Sequence, residues 1–454
     1  MKLMNLFTLG FGMVLLSYMQ ACTGEGSKND KASLPNIIII FADDLGYGDL
    51  SCYGNPTLRT PNLDRMAAEG AKFTQFYVAA PVCTPSRAAL LTGCYPKRVG
   101  LHKHVLFPHS RKGINTDELT LAEILKDKGY NTACFGKWHL GHQEKFLPLQ
   151  HGFDFFFGLP FSNDMSRKEK IKMGNDKYKY ELPVIRGNDT IELDPDQSQL
   201  TKRLTEDALK FIRENTNSPF FLYFPHPMPH IPIYASEDFQ GKSRRGLYGD
   251  VIEEIDWSVG EILRVLKENK MDTRTLVIFT SDNGPWLQFK THGGSAGPLR
   301  DGKGTTFEGG MREPCILWWP GHIPPGTVCT EITSTMDILP TIAHIVGYDL
   351  PEDLKIDGED IHELLEDPEL KKFEAREFYY YSRMGEIEAV RQGPWKLFKK
   401  GEVIELYNIE EDISEKYNLA PEHPDLVKEL MHQLETFDEE LTRSARPVGL
   451  IDMK

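Results

Sequence analysis

A cysteine that could act as a nucleophile stands in the segment PVCTPSRAALLTG, which runs from Pro81 to Gly93. Thr84 can cap a helix there, Pro85 suits its first position, and the alanine and leucine residues that follow propagate it. Cys83 would then lie at the positive end of the helix dipole, where a thiol ionises more readily. A buried cysteine at the start of an ordinary core helix is the alternative interpretation.

Two pairs of oxygen-bearing side chains follow unbroken apolar runs elsewhere in the chain. Asp43 and Asp44 end one run, and Asp282 and Asn283 end another. Such runs are typical of central parallel strands that are buried on both faces. Three carboxylates and an amide oxygen suit Ca²⁺ or Mg²⁺ better than a soft transition metal. Aspartates after a strand are also common turn formers, so each pair alone has a plain structural explanation.

Cationic and imidazole side chains form a third group of candidates. Lys137 and His139 end a strand-like run and share one of its faces, because side chains at i and i+2 point the same way. A proline-rich segment fixes His226 and His230 after another strand, and Lys303 lies in a glycine-rich loop that a ligand can approach closely. A lysine can bind an anion, and a histidine beside it can transfer a proton to or from the same group. A lone Lys-x-His pair is, however, usually a surface feature.

These candidates need a scaffold that brings distant residues together. Helix-like segments over 61–70, 119–128 and 198–215 alternate with strand-like runs over 131–135 and 219–224. The alternation predicts a doubly wound α/β fold with a large, mostly parallel sheet flanked by helices. Ligands of open α/β sheets bind outside the carboxyl ends of the strands, so the acids and cations are expected to converge there.

Composition narrows the class of protein. The 454 residues, of which 40% are hydrophobic, are enough for one large domain and a smaller one. A formal net charge of -15 argues against a nucleic-acid partner or an anionic membrane surface, so an anionic ligand must be attracted by a local cluster of cations. Seven cysteines define no disulfide framework in a chain of this size.

The amino end predicts export to the periplasm or cell surface. Lys2 precedes a mostly apolar run over 3–16, so residues 1–21 are interpreted as a signal peptide. Cys22 is then the expected lipidation site of a lipoprotein, with plain secretion as the alternative. Residues 22–34 are expected to form a flexible tether.

The chain changes character near residue 350, and this divides it into a large domain over 35–350 and a smaller one over 351–454. Hairpin-like strands and one amphipathic helix predict a small antiparallel sheet backed by a helix in the second part. An acidic stretch over 358–367 is expected to be helical, and Glu308 and Arg312, four residues apart, are expected to form a structural ion pair.

The motif CTPSR at residues 83–87, followed by AALLTG, resembles the signature of the formylglycine-dependent (type I, arylsulfatase A-like) sulfatases of the alkaline phosphatase superfamily. The segment over 129–139 resembles the second sulfatase signature, and 302–310 resembles the stretch that carries a further catalytic cation. The resemblance extends from about residue 35 to the carboxyl end. It implies an alkaline phosphatase-like sheet and a smaller carboxyl-terminal sheet with a helix.

The resemblance also implies a modified nucleophile and a bound Ca²⁺. A separate maturation enzyme would oxidise Cys83 to formylglycine (3-oxoalanine), whose hydrated aldehyde attacks the substrate. The ion would lower the pKa of this nucleophile and polarise the sulfur centre. The expected ligands of the ion are Asp43, Asp44, Asp282, Asn283 and the modified Cys83.

The remaining catalytic roles follow from the same resemblance. Arg87 and Lys137 would hold the formylglycine hydrate and the sulfate oxygens. His230 and Lys303 would protonate the departing alcohol, and His139 would then remove a proton from residue 83 to release sulfate and restore the aldehyde. One difficult displacement is thereby replaced by two easier steps.

Residues that recognise the rest of the substrate are less constrained. Ser162 lies in a segment that resembles the one where family members place a serine against the sulfate. Polar and aromatic residues that suit a sugar ring are candidates: they are Asn163, Asp164, His226, Trp286, His292 and Arg300. The lysine-rich run over 167–179 is interpreted as a solvated surface loop, with contact to a polyanionic glycan at the pocket rim as the alternative.

The sequence therefore predicts an exported, Ca²⁺-dependent sulfatase that acts on a glycan. Sulfated galactose or N-acetylgalactosamine, of mucin or glycosaminoglycan type, is the expected substrate. A phosphodiester or phosphonate monoester hydrolase of the same superfamily is one alternative. A glycan-binding protein that has lost catalysis is the other.

Overall fold

The computed structural model of the protein describes residues 34–373 and 376–451. The predicted signal peptide, the lipidation site Cys22 and almost all of the tether lie outside these residues. No helix in the described part of the chain combines the length and the apolar character that a membrane span requires.

Strands and helices alternate over the first three quarters of the chain. The strands are β1 (Asn36–Ala42), β2 (Ala71–Tyr77), β3 (Lys112–Gly113), β4 (Asn131–Lys137), β5 (Phe155–Leu159), β6 (Pro183–Arg186), β7 (Asp189–Leu193), β8 (Phe220–Pro225), β9 (Thr275–Ser281), β10 (Arg312–Trp318), β11 (Thr327–Cys329) and β12 (Thr333–Ser334). The helices are α1 (Pro61–Glu69), α2 (Cys83–Thr92), α3 (Leu121–Asp127), α4 (Arg167–Lys172), α5 (Leu200–Glu214), α6 (Gly246–Glu268), α7 (Glu308–Met311), α8 (Ile338–Ile345) and α9 (Glu363–Glu366).

The large sheet has the strand order β11-β2-β10-β9-β1-β8-β4-β5-β6-β7, with β12 also paired to β2. Its five central strands, from β9 to β5, are all mutually parallel. Antiparallel pairing begins on one side at β10 and on the other at β6. The predicted doubly wound, mostly parallel sheet is therefore confirmed, and it has antiparallel margins.

The two faces of β1 explain why its sequence is apolar without alternation. Ile37, Ile39 and Phe41 pack into the half of the core that α2, α3 and α8 cover. Ile38 and Ile40 pack into the other half, beneath α1, α5 and α6. Because both faces are covered, an apolar side chain at any position of the strand stabilises the fold. Burial of each isoleucine side chain contributes about 1.5–3 kcal/mol.

Two local expectations were wrong. The acidic stretch over 358–367 forms only the single turn α9, and the lysine-rich run over 167–179 begins as a helix instead of a loop. Ser166 initiates this helix α4, because its hydroxyl accepts a hydrogen bond from the Glu169 amide at 3.3 Å. The helix ends before Gly174, which takes a positive φ of 84°.

A second, antiparallel sheet follows the large domain and has the order β13-β14-β15-β16. Its elements are β13 (Glu377–Tyr381), β14 (Ile387–Gln392), β15 (Trp395–Lys400), β16 (Val403–Asn408) and the helix α10 (Pro424–Arg443). Leu430, Leu434 and Leu441 lie on one face of α10 and are buried in the core that it shares with the sheet. A final short strand, β17 (Gly449–Leu450), returns to pair with β3.

A buried charge cluster joins this second sheet to the glycine-rich loop of the large domain. The carboxylate of Glu308 accepts hydrogen bonds from Lys396 Nζ at 2.9 Å and from the hydroxyls of Tyr77 at 2.6 Å and Tyr380 at 3.0 Å. Lys396 Nζ also lies 2.8 Å from a carboxylate oxygen of Glu415. Burial alone would raise the pKa of Glu308, but Lys396 and two neighbouring arginines hold it below its usual value. One of these is Arg312, at the expected ion-pair position.

Substituting Lys396 by methionine is expected to destabilise the fold by about 3–5 kcal/mol, because it leaves two buried carboxylates without their shared cation. The urea midpoint of unfolding measures this loss. Lys399→Met on the same strand is the matched control, since Lys399 is partly exposed and its one ion pair among the described residues is with the exposed Glu435. That control should cost less than about 1 kcal/mol. Equal midpoints for the two variants would contradict a stabilising role for the cluster.

Candidate active site

The carboxyl ends of the five central strands deliver the polar residues of one centre. In the register of β1 and β9, Ala42 lies opposite Ser281, so Asp43 and Asp282 follow side by side. The next strands bring in His230 after β8, Lys137 and His139 at the end of β4, and Ser162 after β5. The sheet therefore brings these acidic, cationic and imidazole side chains together at the carboxyl ends of its strands, where they were expected.

Cys83 is the first residue of α2, and its side chain faces this centre. Its Sγ lies 3.5 Å from Asp43 Oδ1 and 3.6 Å from Lys303 Nζ, and the residue is almost completely buried. Burial raises the pKa of the Cys83 thiol above its ordinary value, and the nearby lysines reduce this rise without cancelling it. The thiol is therefore neutral, and the thiolate expected from the helix dipole alone is not favoured here.

Thr84 does not cap α2 as the sequence predicted, because the helix starts two residues earlier, at Cys83 after Val82. The Thr84 hydroxyl instead donates a hydrogen bond to the His139 carbonyl at 2.9 Å and accepts one from the Leu106 amide at 3.0 Å. These bonds tie the start of the helix to the loop after β4. The nucleophile candidate and His139 are thereby held in a fixed relation.

Three buried cations pair with the three aspartates of the centre. Arg87 Nη2 lies 2.7 Å from Asp282 Oδ2, and Lys137 Nζ lies 2.6 Å from Asp43 Oδ2. Lys303 Nζ contacts both oxygens of Asp44, at 2.6 and 2.8 Å. Burial alone would lower the pKa of each cation, but the carboxylates raise it, so all three remain charged.

The two histidines of the centre donate hydrogen bonds to backbone carbonyls from different ring nitrogens. His139 Nε2 lies 2.9 Å from the Leu106 carbonyl and donates to it, which leaves Nδ1 buried and without a partner among the described residues. His230 Nδ1 donates to the Ile231 carbonyl at 2.6 Å, and its Nε2 lies 3.7 Å from Asp44 Oδ2. Burial lowers the pKa of both imidazoles, so both are neutral. His139 Nδ1 can therefore accept a proton.

The donor set of the centre fits a divalent cation. Asp43, Asp44, Cys83 and His230 each offer a ligand atom, and these atoms lie within 4.8 Å of one another. The Asn283 amide nitrogen donates to Asp44 Oδ1 at 2.8 Å, while its Oδ1 is buried with no hydrogen-bond partner among the described residues. A buried, unpaired amide oxygen beside carboxylates is a favourable ligand for a hard cation.

A cavity of about 160 Å³ opens above Cys83. Its wall includes three of the predicted substrate-binding residues, Ser162, Asp164 and Trp286. The Ser162 hydroxyl lies 3.4 Å from Lys137 Nζ and 3.4 Å from the His230 ring nitrogens, between the cation and imidazole groups. The Trp286 ring lies beside Lys303, whose Nζ is 4.4 Å from the ring centroid. The cavity thus joins polar groups at its base to an aromatic wall.

The other predicted substrate-binding residues lie outside the wall of this cavity. Asn163 is buried and donates to Gln197 at 2.9 Å, where it supports the segment that carries His230. His226 is buried against the Phe224 ring.

His292 is exposed and ends a short turn of helix over 287–292. Arg300 donates to the Tyr407 hydroxyl at 3.0 Å and to the Glu415 carbonyl at 2.8 Å, and it stacks on Phe307. Arg300 therefore fastens the second sheet to the glycine-rich loop instead of facing the cavity.

Sequence reasoning missed two charged or titratable residues of the cavity wall, His104 and Arg383. Arg383 lies in the turn between β13 and β14, so the second sheet contributes to the site. The His104 amide donates to the Arg383 carbonyl at 2.7 Å, which fixes the turn against the loop that follows α2. Neither residue has a motif or spacing that marks it.

The fold and the polar centre together define a hydrolase of the alkaline phosphatase-like architecture. The sulfatase family model matches residues 35–348, and a second model, for the carboxyl-terminal part of N-sulphoglucosamine sulphohydrolase, matches 301–440. Bovine arylsulfatase A is 40% identical over 90% of this chain and 90% of its own length. Porcine N-acetylgalactosamine-6-sulfatase is 45% identical over 72% of this chain and 65% of its own length.

Solved structures show the same relationship. The structure of Ps i-CgsB in complex with a neocarrahexaose aligns with 91% of this chain and 94% of its own, at 31% identity and a TM-score of 0.80. The PsFucS1 sulfatase from Pseudoalteromonas sp. aligns with 92% of this chain and 93% of its own, at 28% identity and a TM-score of 0.83. The chain belongs to the sulfatase family. It is accordingly a sulfuric ester hydrolase.

Proposed function

We propose that this sulfatase hydrolyses a sulfate ester on a terminal galactose or N-acetylgalactosamine residue of a glycan, with a formylglycine formed from Cys83 as the nucleophile. The observation that carries the proposal is the position of Cys83 at the base of a small cavity, among three buried cations and two neutral histidines. In the mature enzyme, the place of the Sγ atom would be taken by the oxygens of a hydrated aldehyde.

The charges of the centre suit a sulfate group. Arg87, Lys137 and Lys303 lie around residue 83, and each is held by a carboxylate that keeps it protonated. Cations fixed before the substrate arrives stabilise charge that develops on the sulfate oxygens, without reorganisation during the reaction. Ser162 can donate a further hydrogen bond from the opposite wall.

Asp43, Asp44, Asp282, Asn283 and residue 83 would hold a Ca²⁺ ion. When bound, it would favour the ionised form of the nucleophile and polarise the ester. The choice of Ca²⁺ is supported by the carboxylate and amide oxygens of the site, which are hard donors, and by the unpaired Oδ1 of Asn283. Lys137 and Lys303, which touch Asp43 and Asp44, would then be free to turn toward the substrate.

Proton transfers in the reaction can be assigned to Lys303, which acts beside His230, and to His139. The ionised hydroxyl of the hydrated residue 83 attacks sulfur, and the S–O bond to the sugar breaks as the charged Lys303, beside the neutral His230, supplies a proton to the leaving alcohol. His139 Nδ1 then takes the proton of the second hydroxyl on residue 83, the C–O bond to sulfate breaks, and the aldehyde forms again. The free Nδ1 of His139 supports this second role, because its Nε2 is already committed to a carbonyl.

The size of the cavity supports a single sugar as the recognised unit. Its volume of about 160 Å³ is below the roughly 300–1,000 Å³ that is typical of sites for larger ligands. Trp286 provides an aromatic wall for one ring face, and Asp164 and Arg383 provide polar groups near its edge. The choice of N-acetylgalactosamine or galactose is supported by the porcine N-acetylgalactosamine-6-sulfatase, at 45% identity.

A panel of defined substrates tests this function. We expect purified, matured enzyme to release sulfate from the 6-sulfates of galactose or N-acetylgalactosamine at least about tenfold faster than from glucosamine 6-sulfate. A pocket that hydrogen-bonds one hydroxyl orientation discriminates against its epimer by about 1–3 kcal/mol. Sulfate is measured by ion chromatography, and mass analysis of the peptide that contains residue 83 verifies its conversion.

Matched phosphate esters of the same sugars provide the control for reaction class. Faster release of phosphate than of sulfate would overturn the sulfatase assignment. A preference for glucosamine 6-sulfate would retain the sulfatase but overturn the proposed sugar.

A further inference from the structure

The cavity accommodates one sugar, so the remaining sugars of a glycan must lie on the surface beside its opening. A path of five aromatic rings leads from the cavity wall to this surface; its members are His104, Phe107, His109, Tyr180 and Tyr178. We refer to it as the aromatic path. The first two members line the cavity, and Phe107 is 36% exposed.

Consecutive rings of the aromatic path lie within contact distance of each other. The centroid of Phe107 is 5.5 Å from that of His104 and 5.5 Å from that of His109, and the planes of Phe107 and His109 differ by only 3°. The His109 and Tyr180 centroids are 6.3 Å apart, and those of Tyr180 and Tyr178 are 5.6 Å apart. The path therefore connects two segments, 104–109 and 178–180, that are distant in sequence.

The lysine-rich run 167–179 flanks the outer part of the aromatic path. It carries six cationic and two acidic residues, in a chain with a net charge of -15. Lys179 Nζ lies 5.6 Å from the Tyr180 ring centroid, and Lys170 Nζ lies 6.0 Å from that of Tyr178. Lys177 and Lys179 are exposed and have no carboxylate partner among the described residues. This local positive charge is available to an anionic ligand.

Lys170 connects this surface back to the cavity. Its Nζ lies 2.8 Å from Asp164 Oδ2, and Asp164 belongs to the cavity wall. The same Nζ lies 6.0 Å from the Tyr178 ring centroid, so Lys170 connects the outer end of the aromatic path to the cavity wall. A ligand that leaves the cavity in this direction would meet aromatic faces first and free lysines next.

We propose that the aromatic path and the lysine-rich run form outer subsites for the second and third sugars of an anionic glycan. This inference rests on the proposed function and extends it from a single sugar to an oligosaccharide. Aromatic side chains with nearby donors are typical of sugar-binding surfaces, and the unpaired lysines select chains that carry further sulfate or carboxylate groups. The enzyme would then act on the end of a polyanionic chain, with the chain extending over 178–180.

Two variants test this proposal, the single variant Tyr180→Ala and the double variant Lys177→Ser/Lys179→Ser. None of these residues lines the cavity. The probes are a chondroitin 6-sulfate tetrasaccharide and N-acetylgalactosamine 6-sulfate. We expect each variant to raise KM for the tetrasaccharide about five- to tenfold, with kcat and the rate on the monosaccharide within twofold of wild type. The lysine variant should also lose most of the salt dependence of tetrasaccharide binding. Tyr417→Ala is the control, because Tyr417 is an exposed aromatic residue that belongs neither to the aromatic path nor to the lysine-rich run.

Direct binding separates this inference from the proposed function. Calorimetry with the Cys83→Ala protein, which cannot turn over, measures the affinity for the tetrasaccharide even if the wild-type enzyme proves inactive on it. Weaker binding by the Tyr180→Ala and lysine variants in this background supports the outer subsites. Unchanged affinity in both variants, or equal losses with the tetrasaccharide and the monosaccharide, would overturn them.

Discussion

Cys83→Ala is expected to reduce sulfate release by at least about 10⁴-fold, because removal of a covalent nucleophile eliminates the reaction path and leaves only electrostatic assistance. The measurement is sulfate release under saturating substrate, compared with matured wild-type enzyme. The side chain is small and its thiol makes only long contacts, at 3.5 and 3.6 Å, so the fold should remain intact. An unchanged thermal midpoint would verify this.

Cys134→Ala is the matched control for this substitution. Cys134 is equally buried, but it lies within β4 and is not among the residues that line the cavity. It should retain wild-type activity within about twofold. If Cys83→Ala released sulfate as fast as the control, residue 83 would not be the nucleophile and the proposed chemistry would have to be abandoned.

Removal of divalent cations should have the second largest effect. Dialysis against a chelator is expected to lower kcat by about 10³-fold, since a metal that polarises an ester and ionises the nucleophile supplies several kcal/mol. Addition of Ca²⁺ should restore activity. Binding of the ion to the folded state should also raise the free energy of unfolding by about 2.7 kcal/mol at a hundredfold excess over Kd.

Asp282→Asn should abolish the stabilisation by Ca²⁺, because the variant loses a charged oxygen at the centre. Asp189→Asn, in the exposed hairpin of β6 and β7, should retain it. Full activity after exhaustive chelation, with the metal content verified by mass spectrometry, would rule out the proposed cation.

The catalytic centre could be predicted from sequence to the extent that it depends on local rules. Asp43 and Asp282 each follow an apolar run, and parallel strands align their carboxyl ends, so proximity follows without knowledge of the pairing. Lys137 and His139 were placed by the same rule. The motif around Cys83 identified the helix, although the helix begins at Cys83, two residues before the predicted first position at Pro85.

What could not be predicted depends on tertiary packing. The helix dipole suggested an ionised thiol, but complete burial raises the pKa of Cys83, and burial cannot be derived from a motif. Arg300 was chosen because polar side chains suit the hydroxyls of a sugar ring, yet its guanidinium turns away to Tyr407. Arg383 was missed because it meets the cavity only through the docking of a turn that is some 300 residues from Cys83 in sequence.

The turn that carries Arg383 has a consequence for how this family can diversify. The proposed nucleophile, cations and metal ligands all come from the part of the chain that builds the large sheet, whereas this wall of the cavity comes from a hairpin turn over 382–386. Exchange of this short turn is therefore expected to change substrate choice without disturbance of the strands that hold the reacting groups. Grafting such turns between relatives would be a direct way to engineer selectivity while the chemistry stays constant.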